Sequence, residues 1–227
     1  MLRIAIARMP PAPDTDAMPA WLGDSERRRW ATLPAPARAG FAASRALLRE
    51  LLRQATGIAA SSWEVSAEAG TALRVSAEGA TSGVHVSLSH RLGWVAATVG
   101  DTVVGIDIEV DRTPRSDADE RAALMLSADE LTEWRRVPAP AREAALQARW
   151  TAKEAWFKAS PPQSAPWDFR LVRARDCAPA DANVRTWRAA PVHVALCCAD
   201  AGALTAARCD GLPPAADVAF WRVAALR

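Results

Sequence analysis

The amino-acid sequence predicts an α+β fold, and three features predict it. Two long helical stretches lie in different halves of the chain, short alternating apolar runs surround each, and strands and helices do not alternate as strict β-α-β units. At 227 residues the chain can bury a full core as one large domain or as two closely packed halves. Twenty-eight Lys and Arg against twenty-six Asp and Glu leave a net charge of +2, too little for a nucleic-acid footprint over the whole surface. Any anion site must therefore be local. Cys177, Cys197, Cys198 and Cys209 form no C-x-x-C pair, which argues against a thiolate metal centre. The apolar start is broken at Arg8 and Pro10, too short for a secretory core or a membrane span, so a reduced cytoplasmic setting is expected.

In chain order, Leu2, Ile4 and Ile6 alternate with Arg3, Ala5 and Ala7 as a half-buried strand, and a proline-rich loop runs to Pro19. A helix is predicted from Pro36 to Gly57, with proline near its start, glycine at its end and Phe41, Leu48, Leu51 and Leu52 on one side. Arg38, Arg45 and Arg49 align on another side, as a solvated basic face or as an anion contact. Strands are predicted at Trp63 to Ala67, Val84 to Ser89, Trp94 to Val99 and Val103 to Glu109, with turns at Gly93 and Gly100-Asp101. Ser127 to Glu130 has capping-box spacing, and a second helix covers 140–159, ending near Ser160-Pro161-Pro162. Further strands are expected at Phe169 to Val172, Val184 to Trp187, Val192 to Cys197 and Val218 to Val223. No repeat between the halves is read from the linear sequence, and no long polar linker separates them.

Three short segments carry candidate chemistry. In Gly105-Ile-Asp107-Ile-Glu109 the strand period puts Val104, Ile106 and Ile108 on one face and both carboxylates on the other. Residues two apart on a strand lie roughly 7 Å from each other, where like charges repel by about 2 kcal/mol at an effective dielectric of about 20. A partly buried pair of this kind wants a hard cation such as magnesium, whereas a solvated strand face needs none. In Val84 to His90 the apolar residues point inward and His85, Ser87 and Ser89 outward. Ser89 and His90 then reach a strand end beside a turn, as a phosphate cradle or an ordinary turn. In Trp150-Thr-Ala-Lys153-Glu154-Ala-Trp156-Phe157-Lys158, Glu154 and Lys158 are four apart, as an exposed helix pair or as part of a site.

Taken together and in this order, S-x-S-H, G-I-D-I-E and W-T-A-K-E-A-W-F-K resemble the Sfp-type 4′-phosphopantetheinyl transferases. Arg38, Phe41, Arg45, Leu47 and Leu48 resemble that family's R-x-x-F-x-x-x-R-x-L-L helix, and the resemblance runs from Arg28 to Lys158. It implies two similar α/β lobes related by a pseudo-twofold, here 1–104 and 105–227, with coenzyme A in the cleft between them. It implies magnesium held by Asp107, Glu109 and Glu154, with Glu154, Asp107 and Lys158 as catalytic residues. Ser89 and His90 match contacts to the coenzyme A phosphates, Arg38 and Arg45 a basic wall at the nucleotide, and Lys153 and Lys158 lysines near the phosphates. The implied partner is an acidic, helical acyl or peptidyl carrier protein, with no nucleic acid, no membrane and a monomeric enzyme. Alternatives are a silent relative that binds coenzyme A or a carrier, and a magnesium-dependent phosphoesterase. Two departures stand out: Thr71-Ala72 where the family has a basic residue and proline, and Ala159-Ser-Pro-Pro where it is often glycine-rich.

Overall fold

The computed structural model describes residues 1–9, 17–66, 73–79, 83–111, 117–160, 168–214 and 216–226. Thr71 and Ala72 lie outside them. Contacts divide the chain into two compact units, Met1–Val104 with Ala207–Leu212, and Gly105–Ala206 with Pro213–Arg227.

The first unit contains β1 (Leu2–Arg8), α1 (Asp24–Thr32), α2 (Ala35–Thr56), β2 (Glu64–Val65), β3 (Val75–Ser76), β4 (His85–Arg91) and β5 (Trp94–Gly100). β1 pairs antiparallel with β5, which pairs with β4, while Cys209–Asp210 joins parallel to β1. Helix α2 packs on this sheet, and its Leu48, Leu51 and Leu52 meet Ala5, Val86, Ala97 and Val99 in the core. Gly57 ends the helix at φ 75°, where its N–H reaches Arg53 O. β4 runs to Arg91, two residues beyond the predicted strand, because Leu92 and Gly93 at φ 42° and 83° form a two-residue hairpin turn. Ser87 and Ser89, expected to face outward, are buried, so both faces of this strand are covered.

The second unit contains β6 (Val104–Val110), α3 (Ala118–Met125), α4 (Ala128–Arg135), α5 (Ala139–Ala159), β7 (Val172–Asp176), β8 (Val184–Ala189), β9 (Val192–Cys198), α6 (Ala201–Ala206) and β11 (Asp217–Ala225); Cys209–Asp210 is β10. Its sheet has the order β6-β9-β8-β11-β7 and carries α5. The strand expected at Phe169 begins only at Val172, because the Asp168 side chain accepts from Arg170 N and closes a 3-10 turn over Phe169–Leu171. The mixed helix and sheet content is that of an α+β protein. Among the described residues no helix is long and apolar enough to cross a membrane.

The same helical corner is built twice, a repeat that is not read from the linear sequence. Near the start of α1, Glu26 accepts from Gly23 N at 3.0 Å and takes two guanidinium nitrogens of Arg49 on α2 at 2.9 and 2.5 Å. Near the start of α4, Glu130 accepts from Ser127 N at 2.8 Å and takes the Lys153 ammonium on α5 at 2.6 Å. In both corners the base follows its acid by 23 residues. Arg38 lies over buried Trp30 and donates to Leu33 O; Arg142 lies over buried Trp134 and donates to Val137 O. Pro34-Ala-Pro-Ala-Arg38 and Pro138-Ala-Pro-Ala-Arg142 start the two long helices. The sheets agree too: β1-β5-β4 in one and β6-β9-β8 in the other. Met9 N donates to Gly93 O and Asp111 N to Pro191 O, each the second residue of a hairpin loop, which aligns Ile4 with Ile106 and Ile6 with Ile108. In that register Asp107 and Glu109 stand where the first unit has Ala5 and Ala7.

Candidate active site

Strand β6 and helix α5 approach closely because of one glycine. A Cβ at Gly105 would lie 2.0 Å from Ala155 O, so any other residue would push the helix away. Beyond it the strand alternation turns Asp107 and Glu109 toward α5. Lys158 Nζ donates to Asp107 Oδ1 at 2.7 Å and to Ile106 O at 3.1 Å, and Trp150 Nε1 donates to Glu109 Oε1 at 3.2 Å. Trp150, Glu154 and Lys158 follow at four-residue spacing along one stripe of the helix, so Glu154 stands between these two contacts. Asp107 and Glu109 are buried and Glu154 is half-buried. Burial pushes the Glu154 carboxyl up to about 7; Asp107 adds to the rise, Lys158 opposes it, and Glu109 adds a smaller push.

Hard oxygen donors of this kind suit magnesium or another hard divalent cation. Among the described residues no group of three or more His, Cys, Asp or Glu is drawn up as a metal-holding cluster. Magnesium commonly takes only one or two carboxylates and completes its shell with water and phosphate, so the donor chemistry fits.

Lys153 requires a correction. Expected near phosphates, it is fully buried, and its ammonium donates to Glu130 Oε2 at 2.6 Å, Met125 O at 2.9 Å and Phe169 O at 3.1 Å. Burial lowers its pKa while Glu130 raises it, and the three acceptors match the three donors of an ammonium. By holding the Phe169 turn, Lys153 also sets the ring that packs on Trp150 at 4.4 Å and Phe157 at 4.7 Å. Trp150 in turn holds Glu109, so Lys153 reaches the site through its frame.

Arg45 does not lie on a solvated face. Its guanidinium is buried, 3.3 Å from Glu26 and over the Phe41 ring at 4.6 Å, and burial lowers its pKa to about 10 against the pull of Glu26. Arg49, on the same stripe, is buried on the same acid. Arg38 is half-buried in the first corner. Ser89 and His90 are ladder residues of β4, opposite Ala96 and Val95, and not part of a turn; Ser89 is buried and His90 exposed, with its ring beside Gly40 on α2.

Two neighbours of the acids went unnoticed in the sequence. Asp111 extends the period-two row after Glu109, and its Oδ1 lies 2.7 Å from Nε2 of His193, whose pKa is lowered by burial and partly restored by Asp111. The alternation Asp107, Glu109, Asp111 was the available signal. His193 also lines a cavity of about 160 Å³ with Thr151, Thr186, Trp187 and Trp221, and none of Asp107, Glu109 and Glu154 lines it.

The family model described as the 4′-phosphopantetheinyl transferase superfamily matches residues 103–201. No curated protein matches the chain. The matched span holds Asp107, Glu109, Glu154 and Lys158 and excludes Arg38, Arg45, Ser89 and His90. Across residues 103–201, from the acid-bearing strand through the whole of α5 to β9, the chain is similar to the 4′-phosphopantetheinyl transferase superfamily.

Proposed function

We propose that this protein transfers the 4′-phosphopantetheine group of coenzyme A to a serine of an acyl or peptidyl carrier protein, with magnesium, releasing 3′,5′-ADP. The observation that carries the proposal is Glu154, raised to about 7 on the helix facing Asp107 and Glu109, inside the span that matches the superfamily. Asp107, Glu109 and Glu154 would hold the magnesium, which when bound neutralises charge on the diphosphate of coenzyme A. The serine oxygen forms a bond to the phosphorus that carries pantetheine, and the bond from that phosphorus to the oxygen of 3′,5′-ADP breaks. Glu154 takes the serine proton, directly or through a water it orients. Trp150 fixes Glu109 through its indole N–H, and Lys158 holds Asp107 in the metal-free protein. Arg38, Ser89 and His90 are the proposed nucleotide contacts, carried by the resemblance alone. An acidic, helical carrier and an active monomer complete the proposal.

The test is mass spectrometry of a panel of apo carrier proteins incubated with the protein, coenzyme A and magnesium, with and without chelator. A magnesium-dependent gain of one phosphopantetheine on the carrier serine is expected. No gain on any carrier despite coenzyme A binding points to a silent relative, and free phosphopantetheine released without a carrier points to a phosphoesterase.

A further inference from the structure

Lys158 holds a place that a metal ion would need. Its ammonium is bonded to Asp107 Oδ1 at 2.7 Å and closes a second bond to Ile106 O at 3.1 Å. Asp107 is almost wholly enclosed, with 7% of its side chain exposed, whereas 30% of the Lys158 side chain is exposed, so the lysine has a way out and the aspartate does not. A divalent ion at about 2.1 Å from the same carboxylate would crowd and repel an ammonium already bonded to it. The duplicated corner supplies an independent observation. In the first unit, where Ala5 and Ala7 replace the acids, the residue at the position of Lys158 is the neutral Gln54. The cation goes with the carboxylates and not with the helical frame that both units share.

We propose that Lys158 is a tethered counter-ion that occupies Asp107 in the metal-free protein and is displaced from it when a divalent cation binds. This rests on the magnesium assignment proposed above. The exchange needs no rearrangement of β6 or α5: the ammonium leaves along its exposed stem, and Asp107 turns from donor-held anion to metal ligand.

The experiment titrates the metal-free full chain with Mn²⁺ alone, without coenzyme A or carrier, following free Mn²⁺ by electron paramagnetic resonance. Wild type is compared with Lys158→Gln, which copies the first unit, with Lys158→Met, and with the charge-retaining Lys158→Arg. Circular dichroism of each variant establishes that it is folded. Lys158→Gln and Lys158→Met should bind Mn²⁺ about tenfold more tightly than wild type, and Lys158→Arg within about twofold of it. Equal or weaker binding in both neutral variants overturns the exchange while leaving the metal assignment standing. No Mn²⁺ binding by any of the four proteins overturns both.

Discussion

Glu50 on α2 and Glu154 on α5 occupy the same position in the two copies of the helical corner, and their carboxyls behave in opposite ways. Glu50 keeps 45% of its side chain exposed, and hydrogen bonds from Arg53 and Gln54 hold it down to about 2. Glu154 faces a strand that carries two more acids, and burial with their charge brings it up to about 7. The buried glutamate pinned by a base, the tryptophan under an arginine and the Pro-Ala-Pro-Ala-Arg start are common to both corners. What differs is the facing strand, Ala5 and Ala7 against Asp107 and Glu109, and the helix residue four after the glutamate, Gln54 against Lys158. The frame therefore positions a helix on a sheet, and the strand decides whether the helix glutamate becomes chemically useful.

The largest expected effect breaks the frame. Lys153→Met leaves buried Glu130 without its base, which costs about 3–5 kcal/mol, whereas Arg49→Met leaves Glu26 with Arg45 at 3.3 Å and costs less. Urea denaturation should show the larger loss in Lys153→Met. Wild-type stability in Lys153→Met together with weakened coenzyme A binding would return Lys153 to the phosphates. Next, Gly105→Ala forces a methyl into Ala155 O and should destabilise the protein by roughly 1–3 kcal/mol through overpacking. A thermal melt checks it, and an unchanged midpoint would mean that α5 can move away from β6 freely.

The third prediction concerns pH. Glu154 is raised from 4.5 to about 7, so between those values the folded protein holds more protons at this site than the unfolded chain. Its contribution to stability is full below about 4.5, falls as pH rises and levels off above about 7. Denaturation midpoints of metal-free wild type should fall between pH 5 and 8 relative to Glu154→Gln, and saturating magnesium should remove part of the difference by favouring the charged carboxylate. The smallest effect probes the stacks. Arg38→Ala and Arg142→Ala should each cost about 1 kcal/mol for the cation–π contact and the lost bond to Leu33 O or Val137 O. Markedly unequal losses would show that the two corners are alike in outline only.

Much of the acid site was legible because a strand period of two forces Asp107 and Glu109 onto one face, and the Ser127 to Glu130 spacing announced a helix start. Lys153 was misassigned, although helix geometry held a warning. It lies five residues before Lys158, about 140° around the helix, so the two cannot serve the same face. Arg45 and Arg49 were recognised as a stripe, but the acid that buries them sits on α1, whose Asp24 to Arg29 run has no apolar period and so gave no helix signal. The repeat was hidden because its identities fall on frame residues of the helices, while the strands that drew attention as chemistry differ between the copies. Ser89 was placed outward by alternation, which describes a strand covered on one side; this one is covered on both.

The most direct test sets the two equivalent glutamates against each other. Glu154→Gln and Glu50→Gln are incubated with coenzyme A, magnesium and an apo carrier that the wild-type protein modifies, and the carrier's intact mass is followed with time. Glu154→Gln should add no phosphopantetheine while keeping a wild-type circular dichroism spectrum, and Glu50→Gln should modify the carrier at the wild-type rate. Transfer retained by a folded Glu154→Gln would contradict the assignment of the site to the acids between β6 and α5.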